Sequence, residues 1–248
     1  NKMRRFINSL FEAIIERIRK AFDTIESFVR GIQSTVNRIL SLAEKVFKWI
    51  VDKINAVLQK IYNTWDQIVQ KLNEYMEAAQ APFTLHARSV SWIDSVNIPM
   101  GYYETAVEED SLISEYNWSG EAGNAYRKST NDQSKAGGQM AELAEATSDT
   151  LEDCAMAGFV FYGAIAVAVA EILGSIAAAA LEAATVVGTV PALLTLLGGF
   201  AGGLGAIGAA FAAFLVFESS VLSGGRGFKK ARAKFKRPKW PSGTMVGA

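Results

Sequence analysis

Between Ala155 and Phe217 the only charged side chains are Glu171 and Glu182, and from Ala183 to Phe217 there is none. A helix or strand in contact with water needs a polar face, so an unbroken apolar run of 18 or more residues reads as a membrane candidate. Whatever this chain folds into, lipid or protein must cover the segment. Its composition narrows the choice of neighbour. It holds 19 alanines and 10 glycines, which bring little transfer energy but let helix backbones approach closely. Gly188, Pro191 and the run Gly198–Gly203 offer breaks, predicting two helices, about 155–187 and about 191–220, in an antiparallel hairpin. Gly198 with Gly202, and Gly199 with Gly203, have the four-residue spacing of close helix pairs. Glu171 and Glu182 fall about 20° apart on a helical wheel. They are candidates to face a membrane, a pore or a partner, because a carboxylate in lipid is costly.

Ahead of this hairpin lies a segment of different character. Apolar residues recur at Ile7, Phe11, Ile14, Ile18, Phe22, Ile25, Val29, Ile32, Val36, Ile39, Ala43, Phe47, Ile50, Ile54, Val57, Ile61, Trp65, Ile68 and Leu72, a step of about 3.6 residues that marks an unsupercoiled helix. With one glycine (Gly31) and no proline before Pro82, the pattern predicts a single amphipathic helix of roughly 70 residues, bent near Gly31–Thr35 and ended by Ala81-Pro82. Residues 83–101, between Pro82 and Pro99, read as irregular. An acidic helix is expected over Tyr102–Tyr116 and another from Glu121 through Asp153. The chain thus reads as an all-α protein of four segments: a long helix (1–81), a linker with a helix–turn–helix (82–153), the apolar hairpin (154–223) and a basic, flexible tail (224–248). In the tail, Lys229, Lys230, Arg232, Lys234, Lys236 and Arg237 form a cationic cluster suited to anionic lipid head groups.

Trp118-Ser119-Gly120 sits between two expected helices and is followed by Ala122, Ala125 and Tyr126. This resembles the WXG100 (ESAT-6-like) pattern, in which Trp-x-Gly forms the turn of a helical hairpin. The resemblance covers about residues 84–155. It implies that Trp118 covers the open end of the hairpin and that Gly120 makes the reversal. It also implies a type VII secretion substrate without a cleaved signal peptide, associating with itself or a WXG-like partner, and secreted or membrane-associated in a Gram-positive or actinobacterial setting. The sequence departs from the family pattern in three ways: a long helix precedes the motif, Pro99 lies in the first arm, and no Tyr-xxx-Asp/Glu follows Gly120.

No enzyme constellation stands out. His86 is the only histidine, which leaves nothing from which to build a histidine triad or a His-rich metal site; it reads as a loop residue. Cys154 stands alone and reads as a small buried side chain. The glycine run lacks the Gly-Lys-Ser/Thr of a phosphate loop. No cofactor is expected. With 25 basic and 25 acidic residues, nucleic acid is not an expected partner. Two functions fit. One is a non-enzymatic, WXG100-like secreted protein whose apolar hairpin engages membranes or forms a pore. The other is a structural assembly subunit, as in a helical bundle, tube or phage tape-measure segment, using the hairpin as a protein interface.

Overall fold

A computed structural model describes residues 2–41, 48–112, 118–182, 186–234 and 240–241, with side chains described except at 2–7, 109, 181–182, 186–187, 222–224 and 226. The protein is all-α. Seven helices follow one another among the described residues: α1 (Lys2–Ser41), α2 (Lys48–Glu77), α3 (Ala81–Trp92), α4 (Ile98–Ala106), α5 (Glu121–Glu182), α6 (Val186–Gly224) and α7 (Arg226–Lys234). They form two compact units, residues 1–81 with 157–216 and residues 82–156 with 217–248. The four segments expected from the sequence therefore combine in pairs.

In the first unit the expected single long helix is two. The rings of Phe22 on α1 and Trp65 on α2 lie 5.1 Å apart, whereas residues so separated on one straight helix would be about 65 Å apart at 1.5 Å per residue. The chain therefore reverses direction between α1 and α2; residues 42–47 lie outside the described residues. A 3.6 period is the same in one rod or in two antiparallel helices, so the pattern held no mark of the break. Doubling back also buries the stripe that a lone rod would expose: Phe11, Ile18, Ile25, Ile54, Ile61 and Ile68 are almost fully buried. α1 runs unbroken through Gly31–Thr35.

The end of α2 also differs from expectation. It stops at Glu77, a short turn follows, and Pro82 sits in the first turn of α3. There the missing N–H costs nothing, because first-turn donors have no partner within the helix. The Tyr75 carbonyl, in the last turn of α2, accepts a bond from the Ala78 N–H at 3.1 Å and a second from the Tyr162 hydroxyl at 2.6 Å. Burial pushes the Tyr75 phenol up from its ordinary value, helped by the charge of Glu74. Aromatic contacts tie the four helical segments of this unit together. Phe11 meets Phe159 at 4.8 Å, Trp65 meets Phe200 at 5.9 Å, and Tyr75 meets both Phe161 and Phe211.

The second unit is held differently. Residues 83–101, expected to be irregular, are helical: α3 passes through a π turn at Ile93–Asn97 directly into α4. The π turn lies immediately before Pro99, where a proline removes a backbone donor and crowds the preceding turn; widening the helix by one residue is a common accommodation. The acidic helix expected to reach Tyr116 instead ends at Ala106, with a single 3-10 turn at Glu109–Ser111; residues 113–117 lie outside the described residues.

Candidate functional site

The expected apolar hairpin is present in the first unit as the C-terminal part of α5 and α6. Gly199 lies against Ser175, and Gly203 against Ile172 and Ala168, so closely that a Cβ at either would collide with the facing side chain. Rings pair further along, Phe161 with Phe211 and Phe214. The glycine run does not break α6. Two of its members make the close approach, while Gly198 and Gly202, expected at the same interface, face open space. The reason is angular: adjacent residues on a helix point about 100° apart, so both glycine pairs cannot meet one neighbour. Pro191 is tolerated inside α6 near its start, and is exposed.

The outward faces carry the functional signal. Both α5 and α6 are long and apolar enough to cross a membrane. Of the most apolar 18-residue window, 44% is buried in α5 but only 17% in α6. Val160 and Val167 on α5 are 69% and 60% exposed, and on α6 Leu194, Leu215 and Val216 are 47%, 46% and 71% exposed. Between them the exposed face of α6 is lined with Gly198, Ala201, Gly202, Gly205, Ala209 and Ala212. Soluble monomers rarely leave a contiguous apolar face of this kind uncovered. Glu171 is exposed, four residues beyond Val167 on the same face of α5. Glu182 ends α5, and its side chain lies outside the described ones. In contrast, the outer faces of α1 and α2 are charged, with exposed ion pairs such as Lys20–Glu16 at 2.8 Å and Arg30–Glu26 at 2.6 Å.

In the second unit, α3 and α4 run antiparallel to the N-terminal part of α5. Five contacts define the register. His86 Nδ1 lies 2.6 Å from Glu152 Oε2, the Ser89 and Ser148 hydroxyls are 3.2 Å apart, and Asn97 donates to the Ala141 carbonyl at 2.9 Å. The Tyr103 hydroxyl donates to Gln133 at 3.0 Å, and Gly137 admits Met100 and Tyr103. Every pair is symmetric, to within a residue, about Trp118-Ser119. His86 is thus not the loop residue expected from the sequence. It lies on α3, 7% exposed, and its Nε2 is buried without a hydrogen-bond partner. Cys154, expected to be buried, is half-buried.

At the turn, Gly120 has φ +92°, the left-handed region where glycine carries no Cβ penalty, and α5 starts at the next residue. The Trp118 ring packs on Tyr126 at 5.5 Å, and the Trp118 carbonyl accepts a bond from Arg127 at 3.2 Å. Gly123 leaves room for that carbonyl. Trp118 remains 46% exposed, so its ring covers the first turns of α5 but is not enclosed.

The basic tail, expected to be flexible, is helical through Lys234. α7 buries Ala231 and anchors Lys234 on Glu142 at 2.5 Å, an acidic partner on α5 that charge counting by segment could not assign. Lys229, Lys230 and Arg232 are exposed on α7; Lys236 and Arg237 lie outside the described residues. Trp240 packs on Tyr103 at 5.7 Å. No protein-family model, no curated protein and no solved structure matches this chain.

Proposed function

We propose that the chain is a non-enzymatic protein that engages membranes through the α5–α6 hairpin, with the 82–156 hairpin serving as a WXG100-like export element. The observation that carries the first half is the uncovered apolar face of α6. In water that face costs about 25 cal/mol for each Å² of apolar surface, a cost that lipid removes. Helices α1 and α2 supply what such a protein needs before insertion: their apolar stripe covers the inner face of the hairpin while their charged faces meet water. The exposed cations of α7 follow α6 directly in the chain and suit anionic head groups at about 1 kcal/mol per residue near the surface.

The export half of the proposal draws on the helical hairpin centred on Trp118-Ser119, the left-handed Gly120 and the Trp118–Tyr126 contact. Its setting would be a Gram-positive or actinobacterial cell.

Dye release from phosphatidylglycerol-containing vesicles tests membrane engagement. Wild-type protein should bind and release dye. Gly205→Asp, on the exposed face at the middle of the apolar span, should reduce release at least tenfold, since a carboxylate at the bilayer centre costs roughly 2.5–3.5 kcal/mol. No binding or leakage between pH 4 and pH 8 would sink the reading. Export is tested separately: Trp118→Ala with Gly120→Ala should abolish secretion from a type VII-competent host while leaving vesicle binding intact.

A second reading has its own observation. Gly198, Gly202 and Gly205 on the exposed face of α6 would let another helix approach closely, as in an assembly of several copies. Light scattering without detergent distinguishes the two: a discrete oligomer that binds no vesicles favours assembly, and a monomer that binds them favours membrane engagement.

A further inference from the structure

The first unit contains a cavity of about 420 Å³ between the C-terminal half of α1, the end of α5 and the start of α6. The pocket is partly open to solvent, and its volume falls in the range of small-molecule sites. Its walls are mostly apolar, with Phe28, Ile32 and Val36 on α1, Ala179 on α5, and Leu193 and Leu196 on α6, and they also carry Ser27 and the buried Thr189. The Thr35 hydroxyl at the rim is occupied by the Gly31 carbonyl at 3.2 Å, so it competes little for a polar ligand. At Gly31 itself a Cβ would meet nothing within 4 Å, which leaves the α1 wall recessed at that point. Among the described residues one charged side chain lines the pocket, Arg38, which is exposed and makes no ion pair with another described residue.

A mostly apolar pocket with one cation among its described lining residues fits a ligand with one apolar chain and one anionic end. A neutral sterol or alkane leaves the arginine without a role, and a peptide strand finds no row of backbone partners on helical walls. A carboxylate matches the planar fork of a guanidinium with two parallel hydrogen bonds. We propose that this cavity binds a long-chain fatty acid, its chain among Phe28, Ile32, Leu193 and Leu196 and its carboxylate on Arg38. The proposal does not depend on membrane engagement by the outer face of α6, because these walls belong to the inner side of the unit.

The experiment titrates cis-parinaric acid into the full chain in vesicle-free buffer, below the micelle concentration of the probe, and then displaces it with palmitate or palmitate methyl ester. One saturable site per chain is expected. Gly31→Leu, which fills the recess, should weaken probe binding at least tenfold. Should that variant lose its helical circular dichroism, Ala180→Leu fills the cavity from α5 and should have the same effect. Arg38→Gln should weaken palmitate about fivefold and leave the methyl ester unchanged. Non-saturable uptake, wild-type affinity in a folded cavity-filling variant, or equal loss of acid and ester in Arg38→Gln would each overturn the proposal.

Discussion

The two units pair helices in the same antiparallel manner with opposite chemistry. In residues 1–81 with 157–216 the contacts are rings and aliphatic side chains: Phe11 on Phe159, Trp65 on Phe200, Tyr75 on Phe211. In residues 82–156 the pairs that tie α3 and α4 to α5 are polar: His86 with Glu152, Ser89 with Ser148, Tyr103 with Gln133. On α3 the buried residues are Pro82, His86 and Ser89, and on α4 none is buried. Apolar burial supplies most of the energy of a fold but tolerates sliding, whereas a net hydrogen bond contributes only about 0.5–1.5 kcal/mol yet fixes position. The first unit is thus built for stability and the second for register.

The contrast is sharpest when a core aromatic is removed. Phe200→Ala should cost about 3–5 kcal/mol, visible as a large drop in the thermal midpoint of the first unit. Truncation of Tyr103 to Phe in the second unit should cost about 1 kcal/mol; equal losses would erase the distinction.

A second test compares adjacent glycines on α6. Gly199→Ala forces a Cβ into Ser175 and should destabilise by about 1–3 kcal/mol. Gly198→Ala meets open space and should stabilise by up to about 1 kcal/mol through helix propensity. Chemical denaturation of the two variants reads the sign directly.

The polar stitching of the second unit is probed at His86. Glu152→Leu leaves both ring nitrogens of a buried histidine unpaired, at about 1–3 kcal/mol, while His86→Leu combined with Glu152→Leu should recover most of the loss. Amide exchange along α3 should quicken in the single variant and slow again in the double one; additive losses would remove the pair from the account.

The smallest effect concerns the surface of α1. A hydrogen bond from Lys20, then its charge, holds the Glu16 carboxyl below its ordinary value of 4.5. A carboxyl lowered by folding contributes stability above its unfolded value, and that contribution fades as pH falls through the folded one. Glu16 is fully exposed, and isolated surface pairs are screened. Glu16→Gln should therefore leave melting curves unchanged at neutral pH and at pH 3.

Periodicity and composition in the sequence were enough to place the apolar hairpin, the amphipathic stripe and the start of α5 at Glu121. Chain reversals were harder to see. The reversal between α1 and α2 left no mark, because the apolar stripe keeps its phase from one helix to the next. Pro82 and Pro99 misled in the other direction. A proline in the first turn of a helix, or just after a π turn, is accommodated, so neither residue marked irregular chain. The glycine spacing 198, 199, 202, 203 pointed to a tight helix pair but could not tell which pair faced α5, since that depends on the rotation of α6. His86 carried no signal at all, its partner Glu152 being 66 residues away.

One consequence follows from the way the first unit is assembled from two stretches of chain. Its α1 and α2 are complete at residue 81, but the helices that cover their apolar stripe end at residue 216. At a synthesis rate of about 5–20 residues per second, the wait lasts roughly 7–27 s. Throughout that interval the stripe on α1 and α2 is half covered on the ribosome, and the segment that will complete it is itself among the least soluble stretches of the chain. The yield of native protein should thus depend on elongation speed and on whatever shields nascent apolar helices, and slowing translation between residues 82 and 156 should lower it.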